Sequence, residues 1–189
     1  RVLVFFLFFF AFILPRTLIC DFRGELSRME TYKALPTPPW RICMGQLVVP
    51  VLLSYVIALI MIASALLFED RVTPPMALAL AVFALPVTLL IYAVENTMFL
   101  LFPTKPVPMG RADFEFLGRA LVEFIVKVII ILIGVSLAIG VGAFTFMMFR
   151  TSWVAPGVAS WVTLSLIAGL ATILMQYAFR RFVVAEAFD

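Results

Sequence analysis

Long runs of apolar residues, broken by short polar stretches, set the pattern of this chain. The runs cover about residues 1–15, 46–68, 76–102, 119–149 and 157–180. They are continuous, without the every-other-residue alternation of a barrel strand, so each predicts a helix. A helix rises ~1.5 Å per residue, so the last four runs can each cross ~30 Å of hydrocarbon. The first run, Val2–Leu14, is too short to do so alone and is expected to be the remainder of a cut span. A secretory signal peptide is the other reading of this run, but it ends in Leu14-Pro15-Arg16 with no small-residue cleavage site. The expected fold is all-α: a polytopic helical membrane bundle of about five spans, forming a single transmembrane domain over 1–189.

Between the first two runs lies a different pattern. From Asp21 to about Leu35, Phe22, Leu26 and Met29 recur at i, i+4 and i+7, while Arg23, Glu25, Arg28 and Glu30 lie off that stripe. This predicts an amphipathic helix with Asp21 as its N-cap. The Pro36-Thr37-Pro38-Pro39 run ends it, and Trp40 and Arg41 stand where an aromatic and a basic anchor meet a membrane surface. Such a helix either lies on the inner leaflet or docks on a cytoplasmic partner. Its acidic residues would be repelled by anionic lipid.

Composition agrees with lipid as the solvent. Apolar residues make up 65% of the 189 and charged residues 13%, and the mean hydropathy is +1.16. Soluble domains are about half apolar and about a quarter charged. The few charges orient the chain. Arg16, Arg23, Arg28, Lys33 and Arg41 fall in one connection, Lys105, Arg111 and Arg119 in another, and Arg180 and Arg181 near the C-terminus. Basic residues concentrate on the cytoplasmic side, which puts these three segments there, the C-terminus included. The net charge of +3 is accounted for by this bias and gives no reason to expect nucleic acid.

Candidate chemistry is sparse. There is no histidine, and Cys20 and Cys43 have neither metal-site nor redox spacing. No phosphate-cradling GxxxxGK[ST] run, GxSxG motif or pair of aspartates lies in a span, so neither a catalytic role nor a cofactor is expected. Inside the spans, Glu95 and Asn96 lie roughly 10 Å from the cytoplasmic end, and Lys127 lies at a similar depth in the next, antiparallel span. A charge in hydrocarbon needs a partner, which makes Glu95 with Lys127, or failing that Arg119, a candidate pair. Glu123 is four residues before Lys127 and is an alternative partner within one helix. These groups serve either as a packing clamp or as part of a transport path. Gly134, Ala138 and Gly142 form a ladder of small residues, with Ser136 and Gly140 beside it. The ladder allows close helix approach, within the bundle or against another copy. Pro50 and Pro86 interrupt two spans.

A family resemblance is carried by the polar stretches. Leu14-Pro15-Arg16-Thr17, Asp21-Phe22-Arg23-Gly24-Glu25-Leu26, Lys33-Ala34-Leu35-Pro36, Gly45-Gln46-Leu47 and the run Glu95–Thr104 together resemble the ABC exporter family of type-2 ABC transporter permease domains. The resemblance implies six spans, of which this chain supplies the second to sixth. It also implies that the 21–35 helix is a coupling helix, with Asp21, Phe22, Arg23, Glu25, Leu26, Arg28 and Met29 contacting an ABC-type ATPase subunit. A second permease copy or half and membrane lipid are the other implied partners, and export is the implied direction. A non-transporting membrane anchor or assembly protein is the alternative.

Overall fold

A computed structural model of the chain describes residues 22, 28–69, 72–102, 114–149 and 153–182; for 114–117, 119, 120, 123 and 149 it describes the backbone only. The described residues are helical, with no strands. A short helix α1 (Met29–Ala34) precedes four long ones: α2 (Pro39–Phe68), α3 (Pro74–Leu101), α4 (Phe114–Phe149) and α5 (Val154–Arg181). The four long helices are long and apolar enough to cross a membrane. The run at 1–15, expected as a cut span, lies outside the described residues.

Prolines set several boundaries. A residue before proline is pushed out of the helical region. Leu35 before Pro36, Pro38 before Pro39 and Thr73 before Pro74 are all extended, with ψ of 139°, 138° and 153°. Pro39 and Pro74 then open α2 and α3, where the missing N–H costs nothing and the fixed φ suits the first turn. The helix that holds the second apolar run is longer than the run itself. The span is expected over about 46–68, and the helix that contains it starts at Pro39 and takes in Trp40–Gly45. A 30-residue helix is ~45 Å long, so its first turns extend past the hydrocarbon.

The bundle is organised around α3 and α5. These two pack extensively on each other; α2 lies mainly against α3, and α4 mainly against α5, with a smaller contact to α3. Accordingly α3 is the most buried of the four. Large apolar side chains such as Leu67, Phe68, Met147 and Leu166 are exposed, as expected where the surroundings are acyl chains. Lipid is as apolar as leucine, so helix association rests on close packing and hydrogen bonds rather than on escape from water.

One such bond repairs a defect written in the sequence. Pro86, inside α3, has no N–H to give to the carbonyl four residues back, that of Val82. The indole of Trp161 on α5 donates to that oxygen, Nε1 to O at 3.0 Å. An unsatisfied carbonyl in hydrocarbon is costly, and a substitute donor removes the cost. Trp161→Phe is expected to lose ~1–2 kcal/mol of stability. In a Pro86→Ala background, where residue 86 regains its own N–H, the same change should cost much less. Thermal unfolding of the four variants in detergent checks this; equal losses in both backgrounds would separate Trp161 from the proline.

Candidate functional site

The polar groups converge where α3 ends, on the side of the bundle where α2 begins and α5 ends. Glu95 and Asn96 are adjacent on α3 and both are almost fully buried. Consecutive helical residues point about 100° apart, so the two reach different neighbours.

Glu95 faces α4. Lys127 Nζ meets Glu95 Oε2 in an ion pair whose two side chains are 3% and 2% exposed. Of the partners considered from sequence, Lys127 is therefore in place against Glu95. The side chains of Arg119 and Glu123 lie outside the described residues.

Asn96 faces the connection that follows the first apolar run. Its Oδ1 accepts the backbone N–H of Phe22 at 3.2 Å, and its Nδ2 donates to the carbonyl of Tyr92 at 2.9 Å. Asn96 thus fastens the connection to α3. Phe22 is fully buried, and its ring stacks on Phe179 of α5 at 5.4 Å between centroids. Met29, on α1, is equally buried and belongs to the same cluster, with Cys43 and Leu47 of α2, Phe99 of α3 and Met175 of α5. Lys33 Nζ lies over the rings of Phe179 and Phe182, at 5.9 and 5.6 Å. Partial burial lowers the pKa of this amine below its ordinary value.

The stripe Phe22, Leu26 and Met29, read from sequence as facing either the bundle or a partner, is therefore partly assigned. Phe22 and Met29 face the bundle and are unavailable to a partner in this arrangement. Arg28 is exposed and directly precedes α1. Asp21, Arg23, Glu25 and Leu26 lie outside the described residues, as does the helical turn expected to begin at Asp21.

A third polar contact joins α2 to α3, Ser54 Oγ to Tyr92 Oη at 2.6 Å, with both side chains buried. Several other span hydroxyls bond back to their own helix: Ser64 to Ile60, Thr97 to Ala93, Thr163 to Ala159, Ser165 to Trp161 and Thr172 to Ala168. Hydroxyls that bond this way spare lipid an unpaired donor.

The small-residue ladder lies in the seam between α4 and its neighbours. A Cβ on Gly134 would touch Leu90 at 3.3 Å and Ile167 at 3.4 Å, and one on Gly142 would collide with Ser160 Oγ and approach the Pro156 carbonyl to 3.1 Å. Ala138 packs between them among Leu90, Leu164 and Ala168. Packing within the bundle is thus the use the structure gives this ladder. Ser136 and Gly140 face outward, in a shallow apolar trough of about 550 Å³ formed by α4 alone.

Three contacts were not anticipated from sequence: Asn96 with Phe22, Ser54 with Tyr92, and Trp161 with Val82. For the last, Pro86 marks the needy carbonyl; for the other two, only the rarity of polar residues in apolar runs was a signal.

Comparison with protein-family models, with curated proteins and with solved structures returns no match to this chain. What the described residues define is a helical membrane-type bundle, with four membrane-length apolar helices and a buried ion pair between two of them.

Proposed function

We propose that the chain is the permease subunit of an ATP-driven exporter of the ABC type, in which the 21–35 segment docks on a partner ATPase and passes its movement to the spans. The observation that carries this reading is the attachment of that segment. A docking element transmits force only if it is fastened to what it moves. Here the Phe22 N–H is held by Asn96 on α3, its ring by Phe179 on α5, and Lys33 sits over Phe179 and Phe182. Displacing the segment would pull on α3 and α5 together, and α4 would follow through the Glu95–Lys127 pair, a shift between packed arrangements.

Orientation supports the same side for the partner. Lys33, Arg41, Arg180 and Arg181 gather at the end where α2 begins and α5 ends, while Glu69 lies at the far end of α2. The basic end is the cytoplasmic one by the usual bias, and the exposed Arg28 immediately precedes α1.

A second reading, a membrane anchor or assembly protein without a transport path, is favoured by how the buried polar groups are used. Glu95, Asn96, Ser54 and Thr172 all bond within the protein, which leaves them committed to packing.

Photo-crosslinking from positions 25 and 28 in native membranes separates the two. The permease reading expects an ATPase among the adducts. Charge reversal at Arg23 and Arg28 should then reduce its recovery at least roughly tenfold, the effect of about 1.4 kcal/mol, with membrane insertion unchanged. Adducts limited to lipid or to the chain itself would transfer support to the anchor.

A further inference from the structure

We infer that the end of the bundle where α2 begins and α5 ends is a binding site for anionic phospholipid, with headgroups held at each of the pairs Trp40–Arg41 and Tyr177–Arg181. Each pair has the same construction. Trp40 is 50% exposed and has the Arg41 guanidinium 5.4 Å from its ring centre; Tyr177 is 52% exposed and has the Arg181 guanidinium at 4.6 Å. A guanidinium held over an aromatic face keeps its in-plane N–H groups free. Those groups match the oxygens of a phosphate and bind it through two parallel charge-assisted bonds. The ring contact fixes a long, flexible side chain in advance, so less freedom is lost when the anion arrives.

Both pairs lie at this end of the bundle. Cys43 and Leu47 of α2 share a buried cluster with Ala178 and Phe179 of α5, which brings the first turn of α2 beside the last turn of α5. Lys33 adds a cation there, fixed over Phe179 and Phe182. Among the described residues no carboxylate is paired with Arg41, Arg180 or Arg181. Glu95 is buried on Lys127, Glu69 is at the other end of α2, and Glu30, exposed in the first turn of α1, forms no ion pair with these arginines.

The chemistry below the pairs selects a lipid over a soluble anion. On α2 the exposed side chains one and two turns inward from Trp40 are Met44 and Val48; on α5, inward from Tyr177, they are Leu174 and Leu170. Each arginine therefore caps an outward apolar stripe, the form of a headgroup over its acyl chains. The site asks for a phosphate on a diacyl body and for negative charge net of the headgroup.

The test uses the full chain in detergent micelles. It is titrated with phosphatidylglycerol, with phosphatidylcholine of the same acyl chains, and with inorganic phosphate or glycerol phosphate, and read by melting temperature and by native mass spectrometry. Phosphatidylglycerol is expected to raise the melting temperature and to remain bound, phosphatidylcholine to do so at least roughly tenfold more weakly, and the soluble phosphates not to compete. An Arg41→Gln/Arg181→Gln variant should lose roughly tenfold or more of the affinity for phosphatidylglycerol, while keeping its response to phosphatidylcholine. Equal binding of the two lipids by the unaltered chain, or full retention of phosphatidylglycerol by the variant, overturns the site. Competition by inorganic phosphate at equal concentration reassigns it to a free anion and overturns the lipid. The comparison of lipids on the unaltered chain stands even where the variant fails to fold.

Discussion

Lys127→Met is expected to destabilise the protein by about 3–5 kcal/mol, because it removes the buried cation that meets the Glu95 carboxylate in a water-poor seam. Both side chains of the pair are 3% exposed or less, so water cannot take over for the missing partner. Glu95→Gln should cost a similar amount by stranding the ammonium. Joining the two changes in one chain removes both charges at once, and most of the loss should be regained. Replacing a buried ion pair with neutral groups of similar volume is often close to neutral, whereas breaking it is not. The four chains are compared by thermal unfolding at one detergent and salt concentration. Strictly additive losses would show that the two charges do not support each other. If the pair is only a clamp, activity should track stability across the set; a double variant that is stable but inactive would point to a transport role.

The second large effect is expected at Gly142. A single added methyl there collides with Ser160 Oγ and comes within 3.1 Å of the Pro156 carbonyl. The hydroxyl can rotate, but the backbone oxygen on the first turns of α5 cannot. Gly142→Ala should therefore force α4 away from α5, at ~1–3 kcal/mol, the usual cost of overpacking. Ser160→Gly in the same chain should return part of it. Gly140 provides the contrast, two residues away and facing outward with nothing within 4 Å of a would-be Cβ. Gly140→Ala should be neutral or stabilising by up to ~1 kcal/mol through helix propensity. Equal responses at the two glycines, measured by unfolding in detergent, would remove the seam as the reason for the ladder.

How far the chain could be read before its structure depends on what each feature rests on. The four long helices follow from apolar runs that only a helix can carry through lipid, and their ends are mostly marked by proline or by a polar stretch. The start of α2 ahead of its apolar run was not legible, because Trp40–Gly45 mixes polar and apolar residues and follows a proline cluster. The last proline of that cluster, Pro39, opens a helix as readily as it ends one. The ion pair was legible because a charge in a span must find a partner and depth along antiparallel helices can be counted. The small-residue ladder announced a close approach but not its counterpart, since any helix surface can fill a glycine notch. The hold of Asn96 on the Phe22 N–H was beyond reach, because a backbone donor leaves no trace in residue type. Trp161 was half legible: Pro86 names the carbonyl in need, and only the packing of α5 on α3 names the donor.

The burial of Glu95 against Lys127 also bears on how the protein is made. The two residues are 32 apart in sequence, so α3 leaves the ribosome before its countercharge exists. Through that interval Lys127 is not there to meet Glu95. The burial of Glu95 against Lys127 is therefore completed only when α4 is present. The Val82 carbonyl imposes a still longer wait, since Trp161 follows it by 79 residues. The contacts of the most central helix are thus completed only by helices that follow it in the chain.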